Sequence, residues 1–435
     1  MKKLALFGGN PGRSTPFHPW PVFDEREIEA VNRVICTGNW WQYSYGESSG
    51  LKETKDGLLS EVGKFQKAFA EKHGCEFGIA AANGTDTLNI LMKALGIGPG
   101  DEVIVPAYSY IASASCVLEV NAVPVFVDID PDTYNIDPSR IEAALTERTR
   151  AILPVHFAGR IADMEAIGKI ADNRGIPVVE DAAQAHGASV AGRMAGSLGI
   201  AGSFSFQASK NMTAGEGGVI TTNDFELAQK AESLAWSGRA FGKGWYRFYI
   251  LGWNARMTEF QGAILRVQLE RLEEQTRLRQ ENASYLSSLL QEIPGFHPLP
   301  LPEDPASHAY HLYIIRYREE ELEGIPRERI IEALEAEGIQ VTSGYPIPLY
   351  KNPMFLTKSF WGKACPLSCS HYPQEVDFAA YGELCPSAER ACSREALWLK
   401  QQIFLGSRKD MEDIAEACRK VTENKSRLLD KRGST

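Results

Sequence analysis

Between about residues 59 and 225 the chain alternates stretches of helical period with short β-branched runs, the pattern of repeated βαβ units. Seven runs read as strands, at 77–81, 102–106, 123–128, 150–155, 177–181, 203–206 and 218–222. The expectation is an α/β fold on one large, mostly parallel seven-stranded sheet. Open sheets of this class take their ligands at the carboxyl ends of the strands. The apolar run Gly175-Ile-Pro-Val-Val-Glu-Asp181 ends there on a carboxylate, which marks Asp181 as functional.

Lys210 stands in Phe204-Ser-Phe-Gln-Ala-Ser-Lys-Asn-Met-Thr-Ala-Gly-Glu-Gly-Gly218, after a small, hydroxyl-bearing strand and before a glycine turn. A lysine amine condenses with an aldehyde cofactor, and a carboxylate keeps a pyridine nitrogen protonated so that the ring withdraws electrons. Together Lys210 and Asp181 point to pyridoxal 5'-phosphate (PLP) chemistry, with both residues catalytic. Each alone would read as a solvated surface group. His186 is open between an acid–base role and a structural one, since position gives no geometry. His156 takes a supporting role, because a freed lysine amine can itself move the proton. Gly238-Arg-Ala-Phe-Gly-Lys-Gly244 lacks the spacing and the hydroxyl of a phosphate loop, and no Gly-x-Gly-x-x-Gly follows a strand.

With 435 residues, 44 % of them apolar, the chain can bury a large domain and a smaller one. The expected division is an N-terminal segment with an aromatic loop (1–58), a large cofactor-binding domain (59–257), connecting helices (258–293), a small α+β domain (294–424) and a polar, frayed tail (425–435). Pro294, Pro298, Pro300, Pro302 and Pro305 punctuate the junction. The second part offers a strand within 309–317, a helix at 327–337, a short strand at 339–342 and a helix at 409–424. A formal charge of −10 argues against a nucleic-acid or anionic-membrane partner. No run approaches the ~18 apolar residues of a membrane helix, and the N-terminal apolar stretch is too short for a secretory leader, so the expected location is the cytoplasm.

Eight cysteines in a chain this long are no disulfide framework. Cys365, Cys369 and His371, with Cys385 and Cys392, could be drawn as a zinc site, but the spacing is loose and paired knuckles are absent. Reduced thiols and no metal are expected. The run Asn39-Trp-Trp-Gln-Tyr-Ser-Tyr45 suits either a wall for a ring-shaped acceptor or a dimer contact.

Asn83-Gly-Thr85, Tyr108-Ser-Tyr110, Glu180-Asp-Ala-Ala-Gln-Ala-His-Gly187, Phe204-Ser-Phe-Gln-Ala-Ser-Lys210, Gly215-Glu-Gly-Gly218 and Gly252-Trp-Asn-Ala-Arg-Met257 together resemble the DegT/StrS-type sugar aminotransferases, from roughly residue 19 to 415. The resemblance implies a fold-type I PLP architecture, homodimers with shared active sites, and transfer of an amino group from glutamate or glutamine to a keto-sugar, often nucleotide-linked, or a keto-cyclitol. It makes Lys210 the lysine that carries the cofactor and Asp181 the partner of its ring nitrogen. Gly84 and Thr85 fall where the family binds phosphate, and a glycine turn opening a helix offers free N–H groups for it. Ser205 matches a second phosphate hydroxyl, Tyr110 an aromatic stacked on the ring, and Gln184 a residue near the phenolic oxygen. Asn254 matches one reaching the phosphate of the neighbouring subunit. The sequence departs from the family at Tyr350, where a histidine is usual, and at Leu399-Lys400, where Leu-Pro is usual. Gly8-Gly-Asn-Pro-Gly-Arg13 and the run 345–353 look more like the branch that aminates cyclitols or makes aminohydroxybenzoate. Two other readings are a deoxysugar dehydratase, which needs a histidine in place of Lys210, and an inert regulatory member.

Overall fold

The computed structural model describes residues 2–41, 60–240, 243, 246–360, 366–367 and 370–429. Its large body carries strands β1 (Phe77–Ala81), β2 (Glu102–Pro106), β3 (Val123–Val127), β4 (Thr149–Ile152) and β5 (Val179–Asp181). A short hairpin, β6 (Ser189–Val190) and β7 (Arg193–Met194), precedes β8 (Ala201–Ser205) and β9 (Gly218–Thr222). The expected single sheet appears as two, ordered β1-β9-β8-β5 and β3-β2-β4. They meet through two parallel bridges, Ile152 with Val178 and Val155 with Asp181. Prolines account for the gap. Pro154 and Pro177 lie on the facing segments and have no N–H to donate, yet their carbonyls accept from the amides of Asp181 (2.9 Å) and Ile152 (3.1 Å).

The sheet is also less parallel than expected, since β9 runs antiparallel to both β8 and β1. No helix separates β8 from β9; the loop between them carries Lys210, and a loop return permits antiparallel pairing where a parallel one needs a crossover. β2, β8 and β9 are buried along their whole length, as strands covered on both faces must be. Four helices matter for the site: α1 (Glu25–Thr37), α2 (Glu61–Lys72), α3 (Gly84–Ala94), which follows β1, and α4 (Ala112–Glu119), which follows β2.

The connection out of the large body is one helix, Glu259–Leu290, opened by a reciprocal cap between Thr258 and Gln261 and packed on α1 and α2. Beyond it, β10 (Phe296–Pro298), β11 (Leu312–Tyr317) and β12 (Ala396–Lys400) form an antiparallel sheet. Tyr313, Ile315, Leu397 and Leu399 turn one face into a core shared with helices Arg327–Ala336 and Arg408–Glu423. Leu312, Ile314 and Trp398 turn the other toward the large body. The strand expected at 339–342 is a single bridge, Thr342 with Trp398, because Gly344 turns the chain at φ +73 and Pro346 has no amide. The first five residues of the tail expected to fray form a helix, Lys425–Leu429, since Leu428 docks in the small core at 4 % exposure, and the rest of the tail lies outside the described residues. Among the described residues no helix is long and apolar enough to cross a membrane.

The N-terminal segment is fastened across both ends of the small body. Fully buried Glu337 accepts from the amides of Ala5 (2.8 Å) and Gly12 (2.8 Å) and from Lys420 Nζ (2.7 Å). Arg13 pairs with Asp410 (2.6 Å) and Asp413 (2.9 Å), and Trp20 Nε1 donates to the carbonyl of Ala208 (2.7 Å). Residues 16–20 thereby reach the loop that carries Lys210. Glu337→Ala leaves the Lys420 ammonium buried without its counter-charge, which costs about 3–5 kcal/mol. Urea unfolding should register that loss; a change below about 1 kcal/mol would contradict the role assigned to Glu337.

Candidate active site

Adjacent carboxylates on β5 face opposite sides of the sheet, as strand alternation requires. Glu180 points into the structure. It accepts from the amides of Gly196 (2.6 Å), Leu198 (2.6 Å) and Gly199 (2.7 Å) and from His156 Nε2 (2.8 Å). The amide of Ala162 donates to His156 Nδ1 at 3.2 Å, which leaves the ring proton on Nε2 and turned to Glu180. His156 is therefore a brace. Asp181 opens instead on a cavity of about 1290 Å³ that also reaches Lys210, Gly84 and Ser205.

Asp181 is 5 % exposed. Ser113 Oγ donates to its Oδ2 at 2.7 Å and is itself held by Ser109 at 2.8 Å, while the amide of Ala183 donates to Oδ1 at 3.2 Å. Burial raises the carboxyl pKa above its ordinary value, opposed by the Ser113 hydrogen bond and by the Lys210 charge. Burial also pulls the Lys210 amine down to about 8, opposed by attraction to Asp181. A lysine near 8 is substantially neutral, and hence nucleophilic, in mildly alkaline water. Its loop is pinned on both sides. The Lys210 amide donates to Gln207 O at 2.9 Å, and Asn211 Nδ2 donates to Ala309 O at 2.7 Å, which turns Asn211 Oδ1 toward His311 Nδ1 at 3.2 Å.

Helix α3 points its start into the same cavity. Asn83 caps it, its side chain accepting from the Asp86 amide at 2.8 Å, so Gly84 and Thr85 supply the first-turn N–H groups that have no helical partner. A Cβ on Gly84 would stand 2.5 Å from Ser205 Cβ, which is why only glycine lets β8 approach the helix end. The result is a cradle of first-turn amides and a serine hydroxyl at the positive end of a helix, an arrangement suited to an anion such as phosphate. Gln184, 4 % exposed, accepts from the Ala158 amide at 2.8 Å through Oε1, which leaves its amide N–H groups for the cavity it lines. Tyr110 lines the cavity with its ring 57 % exposed.

Two expected features stand elsewhere. Asn254 does not line this chain's cavity; it is exposed and bridges Trp236 on the loop after β9 and its following helix. His186 is fully buried between Phe204 (5.4 Å) and Phe206 (5.5 Å), and burial holds its pKa well below the ordinary value, so it acts as a neutral core residue. Tyr350, at a departure from the family pattern, is buried outside the cavity and donates to Glu389 at 2.8 Å. Cys365, Cys369 and part of the aromatic run (Gln42–Tyr45) lie outside the described residues, among which no cluster of ligands suits a metal. Residues that motif reading missed are Ser113, Trp20 and a wall from the small body comprising His311, Gln340, Thr342, Tyr345, Trp398, Lys400 and Gln402. Ser109 and Ser113, one helical turn apart, and Lys400, at a departure from the family pattern, left a trace in the sequence.

The donor set fits PLP: a phosphate cradle, an amine with a lowered pKa, and a buried carboxylate that forms no ion pair among the described residues and would gain one from a protonated ring nitrogen. Two outcomes follow. Gly84→Ala forces β8 and α3 apart and costs about 1–3 kcal/mol in urea unfolding, partly recovered by Ser205→Gly, which removes the atom struck. In cofactor-free protein, reductive methylation and NMR titration of Lys210 should give a midpoint near 8, and Asp181→Asn should lower it further by removing the opposing negative charge. A midpoint near that of a surface lysine would contradict the burial of this amine.

Residues 54–393 match the family model of the DegT/DnrJ/EryC1/StrS aminotransferase family. The chain is 39 % identical over 433 residues to L-glutamine:2-deoxy-scyllo-inosose aminotransferase of Streptomyces paromomycinus, covering 97 % of this chain and 98 % of that one. It is 38 % identical over 434 residues to a putative L-glutamine:3-amino-2,3-dideoxy-scyllo-inosose aminotransferase of Streptoalloteichus tenebrarius, with the same coverage. Among solved structures, 3-amino-5-hydroxybenzoic acid synthase superposes with a TM-score of 0.81 at 32 % identity, covering 95 % of this chain and all of that one. A cavity that holds a half-buried lysine and a buried aspartate, and relatives aligned from end to end, lead to one statement: the chain belongs to the DegT/DnrJ/EryC1/StrS aminotransferase family and is an aminotransferase.

Proposed function

We propose that this aminotransferase uses PLP, takes its amino group from L-glutamine or L-glutamate, and delivers it to the ketone of a cyclitol. The carrying observation is that Asp181 and Lys210 share one cavity with the capped start of α3. The cyclitol acceptor rests on the names of the relatives and on the neutral polar wall of Gln340, Thr342 and Gln402, groups suited to ring hydroxyls. When bound, PLP supplies an aldehyde that takes up the amine and a ring that withdraws charge from the donor carbon.

In this reading the amides of Gly84 and Thr85 and the hydroxyl of Ser205 bind the phosphate, and Gln184 turns its amide to the phenolic oxygen. Asp181 holds the proton on the ring nitrogen, steadied by Ser113 and the Ala183 amide. Lys210 Nζ, neutral at its lowered pKa, would take the proton from the donor Cα. On the acceptor it makes the reverse transfer. Tyr345 and Trp398, with ring centroids 4.8 Å apart, keep water from the reacting face. The dehydratase reading needs a histidine where Lys210 stands, and an inert role leaves a full set of cofactor groups without purpose.

A fold-type I homodimer with shared sites belongs to the same reading. Asn254 does not line its own cavity, and the loop before it exposes Phe248, Tyr249, Ile250 and Leu251, an apolar run suited to a second copy of the chain. In a panel of ketones, purified PLP-loaded protein should aminate 2-deoxy-scyllo-inosose at least tenfold faster than nucleotide-linked keto-sugars; the opposite order would overturn the acceptor assignment. Mixing Lys210→Ala chains with Asn254→Ala chains gathers both lesions into one site of the heterodimer and frees the other. Activity above either parent is expected. None, with heterodimers shown to form and Asn254→Ala impaired, would mean that each chain builds its site alone.

A further inference from the structure

An amino-acid donor differs from a neutral keto-cyclitol in one obvious respect, its α-carboxylate. Burying that charge in the cavity calls for a cation with hydrogen-bond donors. Among the described residues lining the cavity there is no arginine, and the lysines are Lys210 and Lys400. Two histidines also line it: burial holds the pKa of His311 well below its ordinary value, so it offers no charge, and His18 turns its Nδ1 to its own backbone, 2.8 Å from Pro19 O. We propose that Lys400 receives the α-carboxylate of the amino donor. This deepens the aminotransferase reading and rests on it.

The placement of Lys400 follows from strand geometry. Along β12, Leu397 and Leu399 are 0 % and 1 % exposed in the small core, so the alternate residues Trp398 and Lys400 turn to the cavity. Lys400 pairs across the ladder with Leu312. Leu312 follows His311, whose Nδ1 lies 3.2 Å from Asn211 Oδ1, and Asn211 follows Lys210. The end of β12 is thus tied to the loop of the reacting lysine through one side-chain contact and one strand pair. Lys400 forms no ion pair among the described residues, so none of their carboxylates competes for it. When the acceptor replaces the donor, the same ammonium donates to a ring hydroxyl, and one cavity serves two unlike substrates.

The test compares L-glutamine with its neutral α-carboxamide on PLP-loaded protein, following loss of the visible cofactor band. The unmodified protein should prefer glutamine by roughly ten- to hundredfold in half-saturating concentration, the range of a charge-assisted hydrogen bond. Lys400→Met should raise the glutamine value by that factor and move the carboxamide value far less, so that the preference collapses, and Lys400→Arg should restore most of it. A preference that survives Lys400→Met, or an equal weakening for both donors, would overturn the assignment and leave the aminotransferase reading standing. An unmodified protein that no amino acid converts would overturn that reading and this inference together.

Discussion

The structure depends on keeping an amine and a carboxylate in one cavity without letting either bond the other permanently. Burial pushes Asp181 toward protonation and Lys210 toward neutrality, while their mutual attraction works against both shifts. A direct ion pair would satisfy both groups and remove the chemistry. Separate anchoring prevents it: Ser113 and the Ala183 amide hold Asp181, and the turn at Gln207 with the Asn211 bridge holds the Lys210 loop. The rest of the large body is arranged around that separation. Glu180 and His156 lock the opposite face of β5, so the strand that presents Asp181 cannot rotate.

The antiparallel strand β9 is part of the same design. A helical crossover after β8 would have carried the chain away from the cavity; a loop keeps Lys210 at the strand ends and returns Gly218 to lie against Asn83. A Cβ on Gly218 would meet Asn83 O at 2.4 Å, so the cap of α3 and the end of the lysine loop pack backbone to backbone. Main-chain contact thus fixes the end of the lysine loop against the start of α3.

Much of this was legible in the sequence, for reasons that differ by element. Buried strands announce themselves by β-branched runs, and the positions of Asp181 and Lys210 follow from where such runs end. Gly84 was readable because a glycine turn opening a helix offers free N–H groups, whereas its second task, letting β8 approach, is visible only in the fold. The split of the sheet was written in Pro154 and Pro177 but does not appear in a periodicity count, and the direction of β9 is set by a loop, which has no period. Ser113 reaches Asp181, and Lys400 and the strap at 16–20 reach the cavity, from segments far apart in the chain, and only packing brings them together. The departure at Leu399-Lys400, visible as an oddity in the sequence, gained meaning once β12 turned that side chain toward the cavity.

The claim that Lys210 is the reacting amine rests on its lowered pKa, its pinned loop and the cavity it shares with Asp181. Borohydride reduction of the PLP-loaded protein followed by peptide mapping tests it directly. The cofactor label should fall on the peptide containing Lys210, and Lys210→Ala should retain none of it. Label on another lysine in the unmodified protein, or undiminished label in Lys210→Ala, would contradict the assignment of this site.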